Sequence, residues 1–201
     1  MKYIFVVGAP GSKWSSVCKN IYFSPDIDRS DYDQERVYQH HAGVMHLGAY
    51  FDPGMEFGTE FDRIDQFSRT YNELEFDRPF SGEGVRIIKS HVLSHHIDYL
   101  KKAWPDCPII TVHRNNDACL GWWVRCGEFN IKYPNYQYYK DLPAMAGHID
   151  CQNASILEAR TKYSCQYPIN NLALADILKI QHPPAEYCQN YEENDISIAV
   201  L

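Results

Sequence analysis

The sequence predicts an α/β protein with a central parallel sheet flanked by helices. Three observations carry this. The first strand candidate, Tyr3 to Val7 (YIFVV), is a continuous apolar run, as expected for a strand covered on both faces. A glycine-rich turn follows it directly and leads into a helical pattern. The strand–helix alternation then repeats twice, at residues 85–103 and 108–128, and such alternation implies crossovers within a parallel sheet. With 201 residues, the chain is expected to form one domain over 1–201.

Taken in order, Gly8-Ala9-Pro10-Gly11-Ser12 ends the first strand, and a helix is expected from Ser12, as N-cap, to Ile21. Residues 24–60 read as a long loop, punctuated by Gly43, Gly48, Pro53-Gly54 and Gly58 and holding His40, His41 and His46. Phe61, Ile64, Phe67, Tyr71 and Leu74 recur at helical spacing, which predicts a helix over 61–75. Val85 to Ile88 reads as a strand, 93–103 as a helix, Pro108 to Val112 as a second buried strand and 117–128 as a helix. A tyrosine-rich stretch at 133–139 offers rings for a ligand pocket, helices are expected near 153–163 and 171–180, and the polar segment after them reads as peripheral.

Composition narrows the function. The net charge is −7, from 19 Lys and Arg against 26 Asp and Glu, which disfavours general nucleic-acid binding. No run approaches the roughly 18 apolar residues of a membrane span. The opening MKYIFVVG is shorter in apolar residues than a secretory leader core. Seven cysteines, none in C-x-x-C spacing, read as reduced thiols, so a cytoplasmic protein is expected.

The chemistry gathers at strand ends, where open α/β sheets bind ligands. The first cluster is Pro10-Gly11-Ser12-Lys13-Trp14-Ser15-Ser16. A Gly/Ser turn at a helix N-terminus presents backbone N–H groups to an anion, and Lys13 adds charge. It is not a Walker A loop, which ends Gly-Lys-Ser/Thr; here Ser12 precedes Lys13 and Trp14 follows it. The other two clusters are Lys89-Ser90-His91 and Arg114-Asn115-Asn116. Both later strands end in basic residues, without the carboxylate that metal-dependent phosphoryl transfer requires. His91 and His95 are four apart, but no third metal ligand is evident and no metal is expected.

Residues 86–123 (RIIKSHVLSHHIDYLKKAWPDCPIITVHRNNDACLGWW) resemble the central motif of the cytosolic sulfotransferases. There, a strand ending Lys-Thr-His-Leu leads through a helix to a strand ending Arg-Asn-Pro-x-Asp. Lys89-Ser90-His91-Val92 and Arg114-Asn115-Asn116 occupy the matching places. The loop at Pro10 resembles the family's Pro-Lys-Ser-Gly-Thr-Thr-Trp loop.

The resemblance implies a three-layer P-loop fold. It also implies the donor 3′-phosphoadenosine-5′-phosphosulfate (PAPS), with 3′-phosphoadenosine-5′-phosphate (PAP) as product, no metal, and a small-molecule or glycan acceptor. It makes His91 the general base, with Lys89 and Lys13 neutralising charge at the sulfuryl group. The loop from Pro10 through Gly11, Ser12, Lys13, Trp14 and Ser15 to Ser16 then holds the 5′-phosphosulfate, and Arg114 the 3′-phosphate. The chain departs from the family at three places. Aligned on Pro10, Gly11 stands where the family has its catalytic Lys; aligned on Trp14, Gly11-Ser12-Lys13-Trp14 matches Gly-Thr-Thr-Trp and the Pro moves. Trp122 stands in place of a phosphate-binding Ser, and the family's C-terminal Arg-Lys-Gly loop has no counterpart. A non-catalytic nucleotide binder of the same fold and a small nucleotide kinase are the alternative expectations.

Overall fold

The computed structural model describes residues 1–32, 48–51, 61–125, 141–187, 189–192 and 195–201. His40, His41, His46, Cys126, Cys188 and the tyrosine-rich stretch at 133–139 lie outside the described residues.

Strand β1 (Tyr3–Gly8) is buried along its whole length and lies in the middle of the sheet. Strand β2 (Arg86–Lys89) pairs with it in parallel on one side, Val6 opposite Lys89. Strand β3 (Ile109–Arg114) pairs in parallel on the other side, Gly8 opposite Val112. This places the carboxyl ends of all three strands on one edge, so the three polar clusters read from sequence share that edge.

The sheet is mostly rather than wholly parallel. A fourth strand, β4 (Ile196–Val200), runs antiparallel to β3 and completes the order β2-β1-β3-β4. The sequence reading assigns no strand there. Only five residues long and following a polar segment, ISIAV is legible as a strand only once β3 offers it a partner, and an antiparallel edge strand on a parallel sheet is a common arrangement.

Helices cover both faces. Alternate residues of β1 point to opposite sides. Ile4 and Val6 meet helix α1 (Trp14–Tyr22), while Tyr3, Phe5 and Val7 belong to the core on the other face. That second core includes a 3₁₀ turn (Phe61–Gln66), helix α2 (Arg69–Asp77), and helix α3 (Ile97–Ala103), reached through a 3₁₀ turn at Val92–His96. Phe76 is its centre, in ring contact with Tyr3, Phe5, Phe51, Phe61 and Trp104. Helix α4 (Asn116–Arg125) follows β3. Helix α5 (Leu142–Lys162) is the longest and starts eleven residues before its expected position, because Asp141 caps it by accepting from the Ala144 N–H. Helix α6 (Asn171–Leu178) joins α1 on the first face.

The expected helix over 61–75 divides in two, since Ser68 caps a new start by accepting from the Tyr71 N–H. Both margins of the sheet are dressed. Along β2, Asp28 N–H donates to Val85 O, Val85 N–H to Asp26 O and Phe51 N–H to Lys89 O. At the other margin Gln166 exchanges backbone hydrogen bonds with Val200 of β4, and Arg160 of α5 bonds the backbone and side chains of Thr111 and Ser197, clasping β3 to β4.

The described cysteines are free thiols; Cys18, Cys107 and Cys119 are buried, as expected of core fillers. Among the described residues, no helix is long and apolar enough to cross a membrane.

Candidate anion-binding site and buried imidazole cluster

The loop after β1 folds tightly because two glycines permit it. A Cβ on Gly8 would lie 2.5 Å from the Trp14 Cβ. Gly11 has a φ of +76°, and a Cβ there would lie 2.0 Å from the Cys119 carbonyl oxygen of α4. Ser12 N–H donates to Ala9 O, closing the turn.

The helix N-cap is Lys13, not Ser12 as the sequence suggests. Lys13 adopts the left-handed conformation, φ 65°, and α1 has no side-chain cap. Ser12 is instead turned inward and fully buried, and its Oγ has no partner among the described residues. The chain needs two positive-φ residues, Gly11 and Lys13, to turn from strand to helix, which removes Ser12 from the capping position.

The remaining loop residues divide by exposure. Pro10 is buried, Ser15 half-buried and Ser16 exposed. Trp14 is a core residue, 4% exposed and edge-on to Tyr50, so it presents no ring face to a ligand in solvent.

Arg114 reaches back from β3 to this loop. Its Nη1 donates to Gly11 O and to Ala118 O, both at 3.2 Å, while its Nε is buried with no partner among the described residues. No ion pair joins it to Asp117 among the described residues. Lys13 Nζ lies 5.0 Å from the centre of the Trp122 ring and the Arg114 guanidinium 5.9 Å. Two cations thus share one indole at the mouth of the loop. Partial burial, then the charge of Arg114, lower the pKa of Lys13, against a small opposing pull from Asp195.

The asparagines after Arg114 are structural. Asn115 Oδ1 accepts from the Asp117 and Ala118 N–H groups and caps α4. Asn153 of α5 donates to Arg114 O and to Asn116 Oδ1, tying the end of β3 to α5.

Lys89, Ser90 and His91 leave β2 on different sides. Lys89 is 3% exposed and faces α1, within electrostatic reach of Asp31 and Cys18. Asp31 is itself buried, accepting from the Ala49 N–H and the Tyr22 hydroxyl. Burial raises its pKa against the pull of Ala49, Lys89 and Tyr22. The charge of Lys89 is therefore partly answered from within the protein. Ser90 Oγ accepts from the Val92 N–H.

His91 is 1% exposed and turns toward α5, where its Nδ1 meets Gln152 Nε2 at 2.9 Å and His148 Nε2 at 3.5 Å. The rings of His91 and His148 stand edge to face at 5.4 Å, and His95 lies 6.4 Å from His148. Burial, reinforced by the neighbouring imidazoles, holds His91 well below the usual histidine range and lowers His148 to about 4. Burial thus favours the neutral form of both rings.

Tyr50 links the two halves of the site, in ring contact with Trp14 on one side and His91 on the other. The structure therefore brings Lys13, Arg114 and Trp122 into one cluster, with His91 behind the loop and Lys89 beneath α1. Sequence reasoning missed Gln152, His148 and Tyr50. His148 and Gln152 are four apart on α5, a spacing that puts them on one helix face, but nothing local says that this face meets His91.

Among the described residues no group of three or more His, Cys, Asp or Glu side chains is arranged to hold a metal ion. No protein-family model matches the chain, and neither a curated protein sequence nor a solved structure matches it significantly.

Proposed function

We propose that the chain is a PAPS-dependent sulfotransferase of the three-layer P-loop type, moving a sulfuryl group to a hydroxyl or amine of a small-molecule or glycan acceptor. The observation that carries this reading is the pairing of Lys13 and Arg114 over Trp122 at the mouth of the loop after β1. Two cations held that close repel one another, and a multiply charged anion relieves the repulsion. The N-terminus of α1 adds backbone N–H donors without a competing side-chain cap.

In this reading the loop from Pro10 to Ser16 takes the 5′-phosphosulfate, with Lys13 neutralising its charge. Arg114 takes the 3′-phosphate through the donors it does not spend on Gly11 and Ala118. Lys89, at the end of β2, neutralises charge beside the phosphosulfate, and His91 receives the acceptor's proton. That proton leaves as the acceptor oxygen bonds to sulfur and the bond between sulfur and the 5′-phosphate oxygen breaks, leaving PAP.

One observation favours a second reading, a nucleotide binder without catalysis: His91 is 1% exposed and already engaged by Gln152. Calorimetry with PAP, using ATP and Mg²⁺ as control, tests the shared element of both readings. Micromolar binding of PAP that weakens at least tenfold in Arg114→Ala supports a phosphonucleotide site; no binding, or preference for ATP with Mg²⁺, sinks it. Transfer from PAPS that is lost in His91→Ala while PAP affinity stays unchanged separates the enzyme from the binder.

A further inference from the structure

We infer that Trp122 is a positioning residue for the anion site: its ring fixes the plane of the Arg114 guanidinium, so that Arg114 offers its Nε and Nη2 donors to a phosphate or sulfate group. This rests on the donor site proposed above for the identity of the anion, whereas the contact between Arg114 and Trp122 belongs to the fold.

A guanidinium carries five N–H donors, two on each Nη and one on Nε. Arg114 donates from Nη1 to Gly11 O and to Ala118 O, at 3.2 Å each, which uses both Nη1 protons. Nη2 and Nε have no partner among the described residues, and Nε is buried. A buried donor left without an acceptor is costly. Nε and Nη2 lie on one edge of the group, and that edge matches two oxygens of a phosphate or sulfate in parallel bonds. An anion seated there answers donors that the protein itself leaves open.

Gly11 and Ala118 do not hold that edge firmly. Both bonds are at the long end of the hydrogen-bond range, and both act at one nitrogen. Trp122 supplies the further restraint. The guanidinium carbon lies 5.9 Å from the centre of its ring, within cation–π reach. A planar guanidinium over an indole face loses freedom to roll. The ring is half-buried and belongs to α4, the helix that also carries Ala118, so face and anchor form one body. The loop is fitted to the same helix, since a Cβ on Gly11 would lie 2.0 Å from Cys119 O. Trp123, next in the chain, is 3% exposed and sets the rotation of α4 from the core side. Lys13 Nζ meets the Trp122 ring at 5.0 Å, and its other contacts do not bear on the Arg114 edge, which Gly11, Ala118 and Trp122 set.

A guanidinium already oriented in the empty protein binds an anion without first having to be ordered. Trp122 thus acts on affinity through Arg114, without itself bonding the anion.

NMR and calorimetry together test this. In nitrogen-15 relaxation, with Arg114→Lys identifying the signal, the Arg114 Nε–H is expected to be as rigid as the backbone of α4. Trp122→Leu keeps an apolar side chain, removes the ring and is expected to make that N–H mobile; Trp122→Phe keeps a ring face and is expected to keep it rigid. PAP affinity is expected to fall about fivefold or more in Trp122→Leu and to stay within about twofold in Trp122→Phe. Trp122→Met takes the place of the Leu variant should that not fold. An Arg114 Nε–H as rigid without the ring as with it, or PAP affinity unchanged by loss of the ring, overturns the inference. Pyrophosphate binding with the same dependence on Trp122, in a protein that does not bind PAP, would refute the sulfotransferase reading and leave Trp122 in this role. A wild-type protein that binds neither anion would overturn both.

Discussion

Gly11 and Lys13 share the left-handed conformation but differ in what a side chain costs there. At Gly11 a Cβ would overlap the Cys119 carbonyl oxygen at 2.0 Å, a backbone atom that cannot swing aside. Gly11→Ala is therefore expected to lose at least ~2 kcal/mol in urea unfolding, combining positive-φ strain with displacement of α4. Lys13 tolerates the same conformation in the open mouth of the loop. Lys13→Gly is expected to leave stability within ~1 kcal/mol while weakening PAP binding, a separation that a melting curve and a calorimetric titration together would read. A loop between strand and helix was legible from Gly8, Pro10 and Gly11, and so was a positive charge at its mouth. The burial of Ser12 and Trp14 was not, because it follows from the two positive-φ residues and from Tyr50, which meets the loop from a distant part of the chain.

Elements were legible where their own sequence decides them. β1 and β3 are apolar runs buried by helices on both faces, and the reading placed them within two residues. Two other elements were read short or missed. α5 carries the longest helical run, but its start is set by the Asp141 cap. β4 exists as an edge on β3, held by Arg160, whose guanidinium donates to Thr111 Oγ1 and O and to Ser197 Oγ and O. Burial lowers the pKa of Arg160 to about 10 and does not neutralise it at pH 7. Arg160→Met keeps the stem and deletes these bonds. A loss of ~2–3 kcal/mol is expected, with faster hydrogen exchange confined to β3 and β4 amides. Unchanged protection in β4 would mean that the strand holds without the clasp.

Across the whole molecule, protons oppose the fold below neutrality. His91, His95, His113 and His148 all bind protons less readily in the folded chain than in the unfolded one, in each case chiefly through burial. The unfolded chain, with histidines near their ordinary value of about 6.5, therefore holds more protons between that value and about 4. Stability is fully present above about pH 7 and is expected to fall steadily as pH drops toward 4. Asp31, raised by burial, works weakly in the opposite direction. His148→Gln is expected to reduce the slope of unfolding free energy against pH in that window. An unchanged slope would show that His148 takes up no additional proton on unfolding. A parallel sheet with three polar clusters at its strand ends followed from strand alternation; the order of the strands and the antiparallel β4 did not. The imidazole cluster did not, since it unites residues more than fifty positions apart. The dressing of the β2 margin has a further meaning. Asp26, Asp28 and Phe51 take up backbone groups of Val85 and Lys89 that a bare outer strand would offer to a strand of another molecule. With Gln166 paired to Val200 on the outer side of β4, neither margin of the sheet is left wholly bare as a template for strand addition by another molecule.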